Sequence, residues 1–187
     1  MSVAAPRIYT PADLLSLPDA QNCELIDGEL VEKHKNFLAC CVQANVFMEL
    51  AVHCNQTDLG FVLPSSLGYQ CFPWAPKNVR KPDVSFIRRE RFSADFWEQE
   101  HLSIAPDLAV EVVSPCDLAV KTDRKIEEFL RVGISLIWLV HPQLHVIMVF
   151  CKDGSTARLR DGDELSGEDV VPGFSCRVGE LFPVIAK

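Results

Sequence analysis

The most constraining feature of this sequence is a carboxylate inside its strongest predicted β-strand. Residues 108–113 (LAVEVV) are apolar on both faces, which is typical of a central strand that is covered on two sides. An ionised Glu111 costs free energy there unless it meets a cation, a metal ion or several hydrogen-bond donors. The run therefore predicts either a functional acid or a carboxylate near the strand end that pairs with Arg or Lys.

A helix and two more apolar runs follow this strand. Residues 117–132 have the apolar spacing of a helix, and Gly133 is a suitable left-handed cap. The runs 134–140 and 145–151 predict strands. A strand, a helix and a strand in this order form a crossover unit. The sequence therefore predicts an α/β fold with a central mixed sheet flanked by helices.

The segment CELIDGELVE predicts a tight hairpin. Its Asp-Gly dipeptide at positions 27 and 28 favours a two-residue turn, which sets Leu25 opposite Leu30. Because side chains alternate along a strand, Glu24 and Glu29 share the other face of the hairpin.

Shorter elements complete the predicted chain. They are a helix over 10–18, a helix over 37–52, one or two strands over 60–72, a strand over 83–87 and a weak helix over 92–100. With 187 residues, of which 48% are hydrophobic, the chain is long enough to bury a core without disulfides or a structural metal. We therefore expect a single domain over residues 1–187.

The chain also lacks the sequence signals of a secreted or membrane protein. No apolar run approaches the length of about 18 residues that a membrane helix needs, and the N-terminus does not resemble a signal peptide. We expect a cytoplasmic protein that does not engage a membrane. Its eight cysteines are then reduced thiols that serve as packing, and none has the C-x-x-C spacing of a zinc site.

Asp83 is the second candidate acid. It begins the predicted strand 83–87 after a proline, although Pro-Asp is also ordinary turn chemistry. Together with Glu111 on a nearby strand it forms a candidate hard-oxygen site, and two carboxylates with water suit Mg²⁺ or Mn²⁺. Glu24 or Glu29 could add a third acid, and each fits a solvated edge residue equally well.

Lys125 is the candidate cation of this site. It borders the apolar face of the predicted helix 117–132, and Lys121 lies one turn earlier on the same stripe. A lysine at this position can reach back over the end of the sheet toward the acids. The alternative is a solvated helix cation, because the surrounding sequence DRKIEE is highly charged.

Residues 77–91 are a candidate nucleic-acid contact. In a chain with a formal net charge of −8, this segment holds six cations and only two acids. The expected phosphate-backbone contacts are Lys77, Arg80, Lys81, Arg88, Arg89 and Arg91. The alternative is that arginines such as Arg88 and Arg89 pair with nearby acids.

About residues 8–183, nearly the whole chain, resemble the Uma-type restriction endonucleases, a bacterial family of the PD-(D/E)XK nuclease superfamily. The resemblance is carried by the segments ELIDGEL, KPDVSFI, PDLAVEVVSP and GISLIWLVHP, and by the helix with Asp123 and Lys125. The superfamily pattern places a lysine two residues after the strand glutamate, where this sequence has Val113. In this family a serine follows the glutamate, here Ser114, and the lysine role migrates.

The resemblance implies a restriction-endonuclease-like core of αβββαβ type. It also implies that Asp83 and Glu111 are the metal-binding acids, that Glu24 is an accessory acid and that Lys125 is a lysine relocated onto the helix. Lys121 remains an alternative for that lysine. The expected activity is Mg²⁺- or Mn²⁺-dependent hydrolysis of phosphodiester bonds in DNA, with the metal neutralising charge that develops on the phosphate.

Two further expectations concern assembly and activity. Cutting both strands of a duplex is naturally matched by two-fold symmetry, so we expect a homodimer. The alternative function is a nuclease-like fold that is catalytically inactive and binds nucleic acid or protein. Val113 at the superfamily's lysine position and the acidic net charge both favour this alternative.

Overall fold

The computed structural model describes residues 7–20 and 22–183, and the described part of the chain contains three α-helices and twelve strands. The helices are α1 (Pro11–Ser16), α2 (Phe37–Thr57) and α3 (Ala119–Val132). The strands are β1 (Cys23–Ile26), β2 (Glu29–Glu32), β3 (Gly60–Pro64), β4 (Gly68–Tyr69), β5 (Val84–Arg88), β6 (His101–Leu102), β7 (Leu108–Val112), β8 (Leu136–His141), β9 (Val146–Cys151), β10 (Thr156–Arg160), β11 (Glu164–Ser166) and β12 (Ser175–Arg177). Short 3₁₀ helices lie at Pro18–Ala20, Arg89–Arg91, Ala94–Glu98, Pro142–Leu144 and Val178–Leu181.

A six-stranded mixed sheet with the order β10-β9-β8-β7-β5-β3 forms the centre of the fold. Strands β7 and β8 pair in parallel, and α3 connects them as the predicted crossover helix. The other neighbouring strands of this sheet pair antiparallel. The predicted mixed sheet flanked by helices is therefore confirmed.

The two helices cover opposite faces of this sheet. Helix α2 packs on the face that carries Val110 and Val112, whereas Phe129 of α3 packs on the face that carries Ala109. Because side chains alternate along β7, Glu111 shares the α3 face with Ala109. The crossover helix thus lies over the acid that the sequence analysis singled out.

The hairpin of β1 and β2 has the predicted register. Leu25 lies opposite Leu30, and Glu24 lies opposite Val31. Asp27 and Gly28 form the turn with φ values of 50° and 83°, which is the left-handed geometry that Asp-Gly favours. A β-bridge between Leu25 and Val79 ties the hairpin to the rest of the fold.

Several helix boundaries differ from the prediction. Helix α2 runs to Thr57 rather than ending near residue 52, and left-handed Asp58 ends it with a φ of 55°. Helix α3 begins at Ala119, two residues late, because the Asp117 carboxylate accepts the backbone N–H of Ser114 at 2.7 Å and holds a turn. The predicted weak helix over 92–100 is a 3₁₀ helix at Ala94–Glu98.

Helix α2 corrects one expectation about apolar runs. Within the described residues it is the one helix long and apolar enough to span a membrane by length and composition, with 21 residues and a mean hydropathy of 1.5. Its Val42, Val46 and Leu50 side chains are nevertheless buried against the sheet. A core helix passes the same test, so this observation is weak evidence for a membrane span.

Candidate active site

Asp83 and Glu111 come together at one end of two adjacent strands. Strand β5 pairs antiparallel with β7, with Val84 opposite Val110. Asp83 directly precedes β5, and its backbone N–H donates to the Val110 carbonyl at 2.9 Å. Both side chains are buried, Asp83 fully and Glu111 with 8% exposure. The register therefore sets the two predicted metal-binding acids side by side on the α3 face.

Two lysines that the sequence analysis did not select hold the Asp83 carboxylate. Nζ of Lys33 lies 2.7 Å from Oδ1, and Nζ of Lys35 lies 2.5 Å from Oδ2. The backbone N–H of Val112 also donates to Oδ2 at 2.7 Å. Lys33 and Lys35 belong to the short segment between β2 and α2, so this connection delivers both cations into the sheet end.

Lys125 bridges the other two acids. Its Nζ lies 2.6 Å from Oε1 of Glu111 and 2.7 Å from Oε1 of Glu24. The ammonium lies off the direction that a hydrogen bond to Glu111 prefers, so that contact is an ion pair. Within the described residues Lys121 makes no ion pair and is exposed. The structure therefore brings Lys125, and not Lys121, to the acids.

Glu24 is fixed from its second side by Arg80. Nη1 of Arg80 donates to Oε2 of Glu24 at 2.9 Å, and Nη2 donates to Glu128 at 2.6 Å. The backbone N–H of Lys81 donates to Oε1 of Glu24 at 2.8 Å. Glu29, the other hairpin acid, is exposed at the rim of the site. Of the two hairpin candidates, only Glu24 joins the cluster.

These side chains form a row of alternating charges that we name the acid–lysine chain. Its members in spatial order are Arg80, Glu24, Lys125, Glu111, Lys33, Asp83 and Lys35. Each buried carboxylate lies between two cations, which offsets the desolvation that an isolated charge would suffer. The site thus contains no uncompensated acid among the residues that the structure describes.

The lysines decide the ionisation of Asp83 and Glu24. Burial by itself raises the pKa of Asp83, but Lys33 and Lys35 outweigh it and lower that pKa well below its usual value. Burial likewise opposes ionisation of Glu24, yet Lys125, Lys33 and Arg80 lower its pKa to about 2. Both acids are therefore carboxylates at neutral pH.

Glu111 differs from its neighbours. Burial raises its pKa, and the negative charges of Asp83 and Glu24 add to that effect, whereas Lys125 and Lys33 oppose it. The Oε2 atom is 3.9 Å from Nζ of Lys33, a much longer contact than those of Asp83. The negative charge of Glu111 is thus the least well compensated in the acid–lysine chain, so Glu111 is the acid that another cation would stabilise most.

An open groove of about 660 Å³ lies over the acid–lysine chain. The β1–β2 hairpin forms one wall, and the N-terminal half of α3 forms the other. Glu24, Glu111 and Lys125 line it, whereas Asp83 is fully buried and does not line it. Lys121 and Arg124 of α3 stand exposed at its mouth. The site is therefore accessible to an extended ligand.

The structure does not gather the cations of residues 77–91 into one surface. Arg80 is inside the acid–lysine chain, and Lys81 is buried beside it. Arg88 lies at the far end of β5, about 16 Å from Asp83 at the usual rise per strand residue, and Arg89 and Arg91 follow it in a 3₁₀ helix. Lys77 is exposed in the loop before β5. The expected single basic patch around the acids is thus divided between two regions.

The arginines at the far end have local partners. Nη2 of Arg89 lies 2.5 Å from Asp58, and Nη1 of Arg91 lies 2.8 Å from Asp107. Nη2 of Arg88 donates to the carbonyl of Asp169 at 2.6 Å. Nη1 of Arg88 also lies 3.8 Å from Oε1 of Glu90. The ion pairs of Arg88 and Arg89 match the alternative, in which these arginines pair with nearby acids.

The donor set around Asp83 and Glu111 fits a hard divalent ion. Two carboxylates suit Mg²⁺ or Mn²⁺, which complete their coordination with water and substrate phosphate oxygens. A cation, the Lys33 ammonium, already lies between the two acids. Within residues 7–20 and 22–183 no set of three or more His, Cys, Asp and Glu side chains is arranged to hold a metal ion, so water and substrate would supply the remaining ligands.

Sequence reasoning missed Lys33 and Lys35 because their partners are distant along the chain. Lys33 and Asp83 are 50 residues apart, and no periodic pattern surrounds either lysine. The one local signal is the run EKHKN, which places two lysines immediately before Asn36, the N-cap of α2. A charged run before a core helix is usually solvated, so this signal does not identify a site.

Comparison with known proteins adds a family and a fold. None of the curated proteins matches this chain. A crystal structure of "a putative nuclease belonging to DUF820" from Anabaena variabilis is similar in fold, with a TM-score of 0.78 and 18% identity, over 92% of this chain and 97% of that one. The family model described as Uma2, putative restriction endonuclease, matches residues 11–179. The chain therefore belongs to the Uma2 family of restriction-endonuclease-like proteins.

Proposed function

We propose that this protein is an endonuclease that hydrolyses phosphodiester bonds in DNA with Mg²⁺ or Mn²⁺ as cofactor. The observation that carries the proposal is the convergence of Asp83 and Glu111 from adjacent strands, with Lys125 beside Glu111, beneath an open groove that Glu111 and Lys125 line. Membership of the Uma2 family supports the nuclease class.

Asp83 and Glu111 are the residues that would hold the metal. When bound, a divalent ion at such a site polarises the phosphate and lowers the pKa of bound water. Lys125 supplies a fixed positive charge close to the acids, where negative charge develops on the phosphate during hydrolysis. Glu24 positions Lys125 through their 2.7 Å contact, and Arg80 in turn fixes Glu24.

The groove geometry supports a backbone-directed mode of substrate binding. Lys121 and Arg124 are exposed at the mouth of the groove, one turn apart on α3. Arg124 also pairs with Asp27 at 3.2 Å and with Glu128 at 3.3 Å, and its side chain is 64% exposed. Cations on such a rim contact phosphates without reading sequence. We propose that these two residues make the first contacts with DNA, together with Lys77 from the segment selected by sequence. The arginines at the far end of β5 would then play no part at this groove.

A symmetric pair of subunits would match the two strands of a duplex. We therefore propose a homodimer in the cytoplasm as the working form of the enzyme. Light scattering measures the solution mass directly, and a particle with the mass of a single 20.9 kDa chain would refute the dimer.

The activity is tested by incubating purified protein with DNA and RNA substrates in Mg²⁺, Mn²⁺ or EDTA. We expect metal-dependent cleavage of DNA, and we expect Asp83→Ala and Glu111→Ala each to reduce the rate by at least about 10²-fold, as for loss of a group that stabilises transition-state charge. Glu111→Gln, which keeps the side-chain volume, separates loss of charge from loss of packing. Cleavage that survives both alanine substitutions would refute the assignment.

A second candidate is a nuclease-like module without catalysis that binds nucleic acid or protein. The observation that favours it is the complete pairing of the three buried acids with the chain's own cations. In this network the chain's own cations balance the charges of the three acids without any metal. This candidate predicts DNA or protein binding that is the same in EDTA and in Mg²⁺, with no cleavage of any substrate.

A further inference from the structure

The Lys33 ammonium lies in an oxygen cage of the kind that suits a hard metal ion. Its Nζ is 2.7 Å from Oδ1 of Asp83, 2.5 Å from the carbonyl of Lys81 and 3.9 Å from Oε2 of Glu111. Two carboxylates and a carbonyl are oxygen donors that also suit Mg²⁺ and Mn²⁺. The ammonium thus occupies the space between the two acids proposed to hold the metal.

Lys33 and a divalent ion compete for these oxygens. Both would approach Oδ1 of Asp83, and the two like charges would then lie within a few ångströms of each other in a buried site. Oδ2 of Asp83 offers no alternative, because Lys35 and the Val112 N–H already occupy it. We therefore expect a metal ion that binds Asp83 and Glu111 together to displace the Lys33 ammonium.

The Lys33 side chain can move out of the site while the groups around it stay in place. Its side chain lines the groove and is 16% exposed, so the flexible stem can move into open space. Its backbone N–H stays bonded to the Asn22 carbonyl at 2.9 Å. Lys35 and Val112 continue to hold the second oxygen of Asp83, so the carboxylate keeps its orientation.

We infer that Lys33 is an internal competitor of the catalytic metal. Its ammonium neutralises Asp83 and Glu111 until a divalent ion replaces it. This inference rests on the proposed metal-dependent function and specifies how that site is regulated. The acids are neutralised during folding and in the absence of metal, and the displaced ammonium enters the groove only when the metal binds. The concentration of metal needed for activity is thus set in part by Lys33.

The test is a titration of the full chain with Mn²⁺, with free Mn²⁺ measured by its electron paramagnetic resonance signal. We expect Lys33→Met to bind Mn²⁺ at least about tenfold more tightly than the wild type, because a repelling unit charge is removed from the site. Lys121→Met is the matched control, since it removes one unit charge from the same groove without touching an acid. Its affinity should stay within about twofold of the wild type because it is solvent-screened.

Each outcome has one meaning. If the wild type binds Mn²⁺, Glu111→Gln loses that binding and Lys33→Met binds no more tightly, the inference is wrong and the proposed metal site stands. If Lys121→Met tightens Mn²⁺ binding as much as Lys33→Met, the effect comes from the overall electrostatic potential of the groove and not from competition at Asp83. The inference is then also wrong. If neither the wild type nor Lys33→Met binds Mn²⁺, the metal dependence itself is refuted, and the inference with it.

A measurement on the unmutated chain covers the case in which Lys33→Met does not fold. In protein labelled with ¹³C at lysine, addition of Mg²⁺ should shift the Cε resonance of Lys33, assigned from the spectrum of Lys33→Arg. The Cε resonance of Lys121 should not move. Mg²⁺ that binds at Glu111 without shifting the Lys33 resonance would contradict the inference.

Discussion

The two ends of strand β5 use the same kinds of side chain in opposite ways. At the Asp83 end the charges are buried and alternate in a continuous row, whereas at the Arg88 end the pairs are separate and their cations are more exposed, as with Arg89 at 49% exposure beside Asp58 at 75%. Asp107, the partner of Arg91, is buried. Exposed pairs contribute little because water screens them, but a buried charge that loses its partner is strongly destabilising. The difference shows that a cation belongs to the site if it lies near the Asp83 end of β5 in space. Its distance from Asp83 along the sequence does not decide this.

The largest expected difference concerns Arg80. We expect Arg80→Met to lower the free energy of unfolding by about 3–5 kcal/mol, because it leaves the buried Glu24 and the largely buried Glu128 without their shared guanidinium. Urea denaturation followed by circular dichroism measures the loss. A loss below about 1 kcal/mol would mean that the buried end is no more sensitive than the exposed one.

A second, smaller effect concerns DNA binding. We expect Lys121→Glu to weaken binding of a duplex by about tenfold and to reduce the salt dependence of the affinity by about one counterion, as for loss of a phosphate contact. Fluorescence anisotropy in EDTA measures binding without cleavage. Arg89→Glu makes the same change of charge at the far end of β5 and should leave the affinity unaltered. If Arg89→Glu weakens DNA binding as much as Lys121→Glu, the arginines at the far end of β5 also belong to the DNA-binding surface.

The smallest effect is expected from Arg89→Met. Its guanidinium pairs with the exposed Asp58 and stacks over Phe61 at 4.9 Å, so we expect a loss of at most about 1 kcal/mol of stability. The part that comes from the ion pair should shrink as salt is added, because exposed charges are screened. The same urea experiment at low and high salt measures it. A loss as large as that of Arg80→Met would remove the contrast between the two ends.

The fold was predictable where a local pattern determines it. The Asp-Gly turn sets the register of the β1–β2 hairpin, and the apolar runs on either side of α3 specify the parallel pair of β7 and β8. The end of α2 was not predictable, because residues 53–57 are mostly polar and the left-handed cap is Asp58 rather than glycine. Short-range sequence patterns thus predict the presence of helices and strands more reliably than the residues at which they begin and end.

The candidate site was only partly predictable. Glu111 could be found because a charge in an apolar strand is anomalous. Asp83 was selected at the start of another predicted strand, and Lys125 on the helix that follows the Glu111 strand. Lys33 and Lys35 have no such signal, since their contacts with Asp83 and Val112 span 48–77 residues of sequence. Cations that complete a buried network are defined by tertiary packing, which a single sequence does not display.

The pairing of β5 with β7 has a consequence for how the chain finds its native arrangement. A shift of β7 by one residue would turn Glu111 away from Lys125 and insert it among Val84, Phe86 and the other side chains beneath α2. Such a misaligned intermediate would bury an unpaired charge in hydrocarbon and would be rejected. The residues proposed for chemistry therefore also favour the correct alignment of β7 over the shifted one. Selection for correct folding would then retain these acids even in a descendant that has lost its activity.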